Sequence, residues 1–316
     1  MLRAPILYLS HARWARSFIT RFGLARRMAS RFVAGETIGD AIQTIQALNA
    51  RGINATLDHL GESVTNEAEA TRAADDYVHA LEQIHLSQVR ANVSLKLTQF
   101  GLVVDEGFCA RNVQRVVEKA QAVDNFVRID MESSAQLEAT LRIFRSLAEH
   151  FDNVGLVLQA YLYRTEEDLR TLVAACARLR LCKGAYQEPA AIAFPKKADV
   201  DANYDRLMQI MLNQARAVPP LGHDGRFPPL PALATHDERR IEAAKAYARQ
   251  INLPRDYFEF QMLHGIRREL QDQLARDGFS VRVYVPYGTE WYPYFMRRLA
   301  ERPANLWFFL SNYLRR

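Results

Sequence analysis

The sequence predicts an α/β fold, a closed (βα)8 barrel of the TIM type with an N-terminal helical extension. Eight short runs rich in β-branched or aromatic residues recur along 316 residues. Stretches with helical periodicity lie between them. A chain of this length is routinely spent on one such barrel. The alternative, a doubly wound sheet, usually carries a Gly-rich phosphate loop after its first strand. Here the first strand runs into His59-Leu60-Gly61-Glu62, and no GxGxxG occurs anywhere.

Residues 1–50 read as the helical extension and 51–316 as the barrel domain. Asp40 opens a capped amphipathic segment through Leu48. The strands fall near 53–58 (INATLD), 91–97 (ANVSLKL), 126–131 (FVRIDM), 154–160 (VGLVLQA), 178–183 (RLRLCK), 232–236 (ALATH), 257–263 (YFEFQML) and 281–285 (VRVYV). Helical periodicity covers 65–88, 133–150, 165–177, 200–216, 237–250, 264–277 and 289–302. In 133–150, Leu137, Leu141, Phe144 and Leu147 form one face, and Ser133-Ser134 supply a cap. Thr165 is expected to cap the next helix, followed by Glu166, Glu167 and Asp168, acids that suit a helix N-terminus. Residues 217–231 hold five prolines and form a long loop.

Composition narrows the function. Seven of the 41 basic residues and none of the 36 acidic ones fall in residues 1–31, leaving 34 basic against 36 acidic elsewhere. The body is therefore not a nucleic-acid surface. The Arg-rich arm is read as a helix packed on the body, as a contact to an anionic membrane surface, or as a transit segment. Leu306-Trp307-Phe308-Phe309-Leu310 either packs on the barrel or docks at a membrane. No secretory signal or transmembrane run is expected. The three cysteines, Cys109, Cys176 and Cys182, make no disulfide framework and fit a reducing compartment. No common metal-ligand motif is present, so no metal is expected.

Barrel enzymes place their chemistry at the C-terminal strand ends. Polar residues stand at nearly every such end: Glu62, Lys96, Asp130, Gln159, Arg180 with Lys183, Thr235-His236-Asp237, Gln261 with His264, and Tyr284. Any one of them alone would be a solvated strand end; eight together point to a site. On the last helix, Tyr294, Arg297, Arg298 and Glu301 share a face at i, i+3, i+4 and i+7, away from Phe295, Met296 and Leu299. That spacing suits either a solvated charged face or a guanidinium fork for a carboxylate. The inventory implies a small anionic substrate. Two chemistries stay open: a Schiff base on Lys96 or Lys183, or an organic cofactor such as a flavin whose reduced anion Arg180 stabilises. A non-enzymatic binding barrel is a third reading.

The residues also carry a family resemblance. The chain resembles proline dehydrogenases of the short, monofunctional bacterial type. The resemblance rests on Leu60-Gly61-Glu62, Ser94-Leu95-Lys96-Leu97, Arg128-Ile129-Asp130-Met131-Glu132, Leu158-Gln159-Ala160-Tyr161 and the run from Arg180 to Lys183-Gly184-Ala185-Tyr186. It continues through Ala234-Thr235-His236-Asp237, Phe260-Gln261-Met262-Leu263-His264-Gly265, Tyr284 with Pro286 and Gly288, and Tyr294 with Arg297, Arg298 and Glu301.

The resemblance implies a distorted (βα)8 barrel that holds non-covalent FAD and oxidises L-proline to Δ1-pyrroline-5-carboxylate. Hydride would pass from proline C5 to flavin N5, and electrons to a membrane quinone. By matched position, Arg297 and Arg298 pair with the proline carboxylate beside Lys96. Tyr284 and Tyr294 pack on the ring, and Glu301 supports the arginines. Glu62 gates the pocket through Arg297. Asp130 and Arg180 join Tyr284 in the catalytic centre. Met131, Gln159, Arg180, Lys183, Gly184, Ala185, Thr235, His236 and Gln261 hold the cofactor. Gln187 stands where many members have Trp, which admits FMN as an alternative. Tyr284 favours proline over hydroxyproline. A separate pyrroline-5-carboxylate dehydrogenase is expected to take the product, since 316 residues leave no room for a second dehydrogenase domain. The implied location is cytoplasmic, peripheral to the inner membrane.

Overall fold

The computed structural model describes residues 29–61, 64–218 and 224–301. Eight parallel strands close in chain order into a barrel. They are β1 (Asn54–His59), β2 (Ala91–Leu95), β3 (Val127–Ile129), β4 (Val154–Gln159), β5 (Arg178–Cys182), β6 (Pro231–Ala234), β7 (Glu259–Leu263) and β8 (Ser280–Tyr287). β8 closes on β1 over the register Asn54↔Arg282 to His59↔Tyr287. Each strand falls on one of the eight runs read from the sequence.

Nine helices are described: α1 (Ile38–Asn49), α2 (Glu67–Ser87), α3 (Glu106–Ala122), α4 (Ser134–Ala148), α5 (Thr165–Ala174), α6 (Lys197–Ala215), α7 (Glu238–Gln250), α8 (Arg268–Arg276) and α9 (Trp291–Glu301). The sequence reading left the interval between the second and third strands unassigned, and α3 fills it. Its signals are an Asp105 cap, which accepts from Phe108 N at 2.6 Å, and a buried stripe of Cys109, Val113, Val116, Val117 and Ala120. The charged residues Arg111, Arg115 and Glu118 fall on the opposite, exposed face, so the segment has the ordinary amphipathic pattern of a surface helix.

Of the two expected caps, Ser133 does stand at the N-cap of α4 but makes no side-chain cap bond, and Thr165 is not the cap. The Ser133 hydroxyl meets the Gln136 side chain rather than a helix N–H, and the Ser134 N–H and hydroxyl donate to the Glu188 carboxylate at 2.7 and 2.6 Å. Thr165 lies inside α5, with Arg164 at the cap; its hydroxyl donates back to Gln159 O at 2.6 Å. At α1 the cap is Thr37, with Asp40 completing a reciprocal capping box.

The barrel departs from eightfold regularity where the chain closes. α1, read from the sequence as part of the extension, packs against β1, β8 and α2 and so occupies the outer groove between the first and last strands. The helix that follows β8, α9, lies instead over the strand ends. Its Trp291, Phe295, Met296 and Leu299 are buried in a separate apolar cluster with Ala29, Phe32, Val33 and Leu60. The segment before α1 is tied down there by Ala34 N to Pro286 O at 2.9 Å and Gly288 N to Gly35 O at 3.0 Å.

Strand side chains alternate, and the inner set departs from the usual apolar-filled barrel. Residues facing the helices are apolar: Leu57, Val93, Ile129, Leu156, Leu181, Phe260 and Val283 all belong to the main core. Alternate positions, facing the axis, are largely polar, among them Asp58, Arg128, Glu259 and Arg282, each 1% exposed or less. Gly155 makes room for one of them. A Cβ there would lie 2.7 Å from Arg128 Nη1 and 2.5 Å from Arg178 O. At the N-terminal end of the strands, residues 224–230 plug the barrel through backbone carbonyls. Gly225 O accepts from Arg282 Nη2, Arg226 O from Asn92 Nδ2, and Pro228 O from Arg178 Nη1, all at 2.8–2.9 Å.

His264, just past β7, is pushed down to about 4 by burial and by the nearby Arg268 and Arg51, against an ordinary 6.5. Between those values the unfolded chain binds a proton that the folded chain rejects. This contribution is therefore complete above pH 6.5 and declines as pH falls toward 4. Thermal melts of the wild type and His264→Gln are expected to keep a constant offset above pH 6.5. Below that, the wild type should lose ground, with the change complete near pH 4.

Candidate active site

Asp130 follows directly on β3 and serves as the hub of the barrel mouth. Its Oδ1 accepts from Ser94 Oγ at 2.6 Å and from Arg180 Nη1 at 2.8 Å. Its Oδ2 accepts from the Tyr284 hydroxyl at 2.7 Å, with Lys96 Nζ 3.8 Å away. One carboxylate thus joins β2, β3, β5 and β8. Lys96 Nζ lies 3.0 and 3.1 Å from the two carboxylate oxygens of Asp58 and donates to Tyr284 at 3.3 Å. Tyr77, from α2, sets its hydroxyl 2.8 Å from Ser94 O and 3.2 Å from Asp58.

The Tyr284 ring has cations near it, with Arg180 Cζ at 5.4 Å and Lys96 Nζ at 5.9 Å from its centroid. Burial, reinforced by the Asp130 and Asp58 carboxylates, pushes the Tyr284 phenol well above its ordinary value. It therefore remains a hydroxyl that donates to Asp130. Burial also pushes Cys182, in the cavity wall, up to about 12, so it stays a thiol rather than a nucleophilic thiolate.

A cavity of about 470 Å³ opens above this hub. β2, β3 and β8 contribute Lys96, Asp130, Met131 and Tyr284 to its wall. β4 and β5 contribute Gln159, Arg180, Lys183, Gly184 and Ala185, and β6 and β7 contribute Thr235, His236 and Gln261. α9 roofs it with Tyr294, Arg297 and Arg298. Arg298 and Arg297 hold their guanidinium carbons 5.2 and 6.0 Å from the Tyr294 ring centroid. α9 thus turns Tyr294, Arg297 and Arg298 to a cavity rather than to bulk water, which counts against the solvated-face reading of their spacing. All these residues came from the sequence reading. Glu62, the Glu301 side chain, the Arg-rich arm before residue 29 and the 306–310 run lie outside the described residues.

Several participants were missed from sequence. Asp58 is wholly buried and lines the cavity. Its signal was a charged residue inside a run that should be buried, which is rare without a partner. Ser94, Tyr77, Glu259 and Arg282 complete the network, but their roles depend on cross-strand contacts.

On the β5 side, Lys183 joins Asp201 and Asp237, the latter at 2.7 Å. Burial alone would raise the Asp237 carboxyl. The Lys183 ammonium, the Arg239 N–H and Lys197 outweigh that and hold it at about 2. Both lysines proposed for a Schiff base are therefore tied up in ion pairs, whereas that chemistry requires an unprotonated amine. The His236 ring is oriented too: Leu263 N donates to its Nε2 at 2.9 Å, which leaves the ring proton on Nδ1. At the β5 exit, Gly184 has a φ of +112°, and a Cβ there would lie 2.2 Å from the Tyr161 ring, so only glycine fits. No group of metal-ligating side chains occurs among the described residues.

Fold and site together define a (βα)8 barrel enzyme with a buried charge network beneath a cationic, aromatic-roofed cavity. The chain belongs to the proline dehydrogenase family, a family of oxidoreductases, whose model matches residues 41–310. It is 41% identical over 316 residues to proline dehydrogenase 1 of Bacillus subtilis, covering all of both chains. It is 42% identical over 293 residues to a proline dehydrogenase of Deinococcus radiodurans, covering 91% of this chain and 90% of that one. Among solved structures, a bifunctional proline utilization A protein superposes with a TM-score of 0.72 at 26% identity, over 91% of this chain and 32% of the other. Proline utilization A of Bdellovibrio bacteriovorus, inactivated by N-propargylglycine, gives 0.77 at 24% identity, over 87% and 32%. The chain thus spans about a third of those longer proteins.

Replacing Asp130 by Asn removes the anion between Arg180 and Tyr284 and leaves a guanidinium that is 6% exposed without its counter-charge. Urea unfolding is expected to show a loss of about 3 kcal/mol. Asp58→Asn should act in the same direction through Lys96.

Proposed function

We propose that the chain oxidises L-proline to Δ1-pyrroline-5-carboxylate with non-covalently bound FAD, as the first step of proline catabolism. The observation that carries this is one cavity with two chemically distinct sides. Arg297, Arg298 and Lys96 offer cations for a carboxylate, with Tyr284 and Tyr294 to pack a small ring. The other side offers Arg180 and the β4–β7 strand ends.

The residues there fit a flavin. Gln159 Oε1 is buried and without a hydrogen-bond partner, while its amide nitrogen donates to Met131 O at 3.2 Å. An acceptor so placed suits an imide N–H. Met131, Val157, Met262 and Leu263 give the wall apolar surface for an aromatic tricycle. Lys183, Gly184, Ala185, Thr235 and His236 would hold the remainder, with Gln261 behind Arg180. FMN shares the same ring, so the fit extends to it. Bound there, a flavin would supply the two-electron acceptor for hydride from proline C5, with a quinone as the electron acceptor beyond it.

The protein's part is positioning and electrostatics. Arg297 and Arg298 fix the carboxylate through charge-assisted hydrogen bonds and so set which ring carbon faces the acceptor. Tyr284, held by Asp130, packs against the substrate ring. The amine must be neutral to release hydride from the adjacent carbon, and a mouth lined with Lys96, Arg180, Arg297 and Arg298 disfavours the ammonium. Arg180, anchored by Asp130, stabilises developing negative charge on the acceptor.

Among the described residues no helix is long and apolar enough to cross a membrane. A quinone acceptor would then be reached by peripheral contact at the inner membrane, from the cytoplasm. The product is released toward a separate pyrroline-5-carboxylate dehydrogenase.

The purified protein should be yellow, and L-proline added without oxygen should bleach it. Persistent colour after proline would refute the assignment. Arg297→Met and Arg298→Met are each expected to raise KM for proline by about 10–100-fold, the worth of a charge-assisted hydrogen bond. The rate constant kcat/KM should climb with pH until the amine is neutral; a flat profile would contradict the amine requirement.

A further inference from the structure

Arg180 is held on two sides. Its Nη1 donates to Asp130 and to Ser94 Oγ, and its Nε donates to Gln261 Oε1. The second link depends on which way the Gln261 amide points, because a carboxamide offers an acceptor on one side and donors on the other. Glu259 decides this. It lies two residues earlier on β7, is wholly buried, and is not part of the cavity wall. Its carboxylate accepts from Gln261 Nε2 and from Arg282 Nε, the latter at 2.9 Å. An ionised carboxylate has no proton to give, so the amide must turn its NH2 toward Glu259 and its oxygen toward Arg180. The flipped amide would oppose oxygen to carboxylate and NH2 to guanidinium. Arg282 neutralises Glu259 and is itself anchored to Ala55 O at 2.7 Å and Gly225 O at 2.9 Å.

We propose that Glu259 is a positioning residue for the reaction, locking the Gln261 amide so that Arg180 keeps one orientation at the cavity wall. With Nε and Nη1 engaged, Nη2 is the guanidinium nitrogen left to meet a bound group. The proposal rests on the flavin reading for its catalytic consequence, but the placement of Arg180 does not.

Glu259→Asp tests it. This variant keeps the charge opposite Arg282 and withdraws the carboxylate from Gln261 by one methylene. The expected result is a fall in kcat of about 10–100-fold, the penalty for slight misplacement of a reacting group. KM for proline should stay within about twofold of the parent, since the carboxylate clamp is untouched. The flavin midpoint potential should become more negative as Arg180 loses its fixed position. In a Gln261→Met background, Glu259→Asp should change kcat and potential little, because the link it acts through is already gone. Equal effects of Glu259→Asp in both backgrounds would overturn the proposal. If Glu259→Asp fails to fold, Glu259→Met with Arg282→Met removes both buried charges and the acceptor for Gln261 together and should give the same kinetic pattern; normal kcat in that variant would also overturn it. Crystal structures of parent and variant supply a readout that needs no activity. A displaced Arg180 guanidinium supports the proposal, and an unmoved one refutes it. A parent enzyme that binds no flavin would sink the functional reading while leaving this structural test intact.

Discussion

The buried ionic network around Asp130 is the constraint on which the rest of the molecule depends. Four strands meet at its carboxylate, through Ser94, Arg180 and Tyr284 and the nearby Lys96. Burying such charges is expensive unless every one has a partner, and here the partners are distributed around the barrel axis. Closure of the sheet and assembly of the site therefore depend on the same contacts. The ion pairs form only when β1, β2, β3, β5 and β8 are in register, and they leave a rigid charged floor beneath the cavity.

That floor explains an unusual division of labour. The apolar core lies between strands and helices, so the helices supply the hydrophobic stabilisation that an apolar barrel interior would otherwise share. The interior is released for chemistry from top to bottom. Arg282 and Glu259 connect the plug at the N-terminal end to Gln261 and Arg180 at the wall. The exchange of positions between α1 and α9 serves the same end. With α1 filling the outer groove beside β1 and β8, the last helix can lie across the mouth and bring Tyr294, Arg297 and Arg298 over the strand ends.

Much of the site was legible because its side chains break a rule. Lys96, Asp130, Gln159, Arg180 and Gln261 are polar where strands should be apolar, and the barrel hypothesis says where to look for them. Asp58 breaks the same rule, but it lies inside β1 rather than at the strand end, where Glu62 is the nearest expected site residue. Tyr77 carried no such signal, since a tyrosine on an amphipathic helix face is ordinary core. Glu259 and Arg282 are separated by 23 residues, and only the pairing of β7 with β8 brings them together.

The order of strands and helices, the barrel class and the family were determined by the sequence alone, because side-chain periodicity and residue type are local properties. α3 carries a buried stripe at ordinary helical spacing and was equally legible, although its interval was not among the expected helices; the hydroxyls of Ser133 and Thr165 meet partners that residue type alone does not reveal. Tertiary structure alone decided that α9 roofs the cavity, that Asp130 joins four strands, and that the candidate Schiff-base lysines are tied up in ion pairs. Each of these depends on distances between residues far apart in the chain, set only when the sheet closes and the charges inside it find their partners.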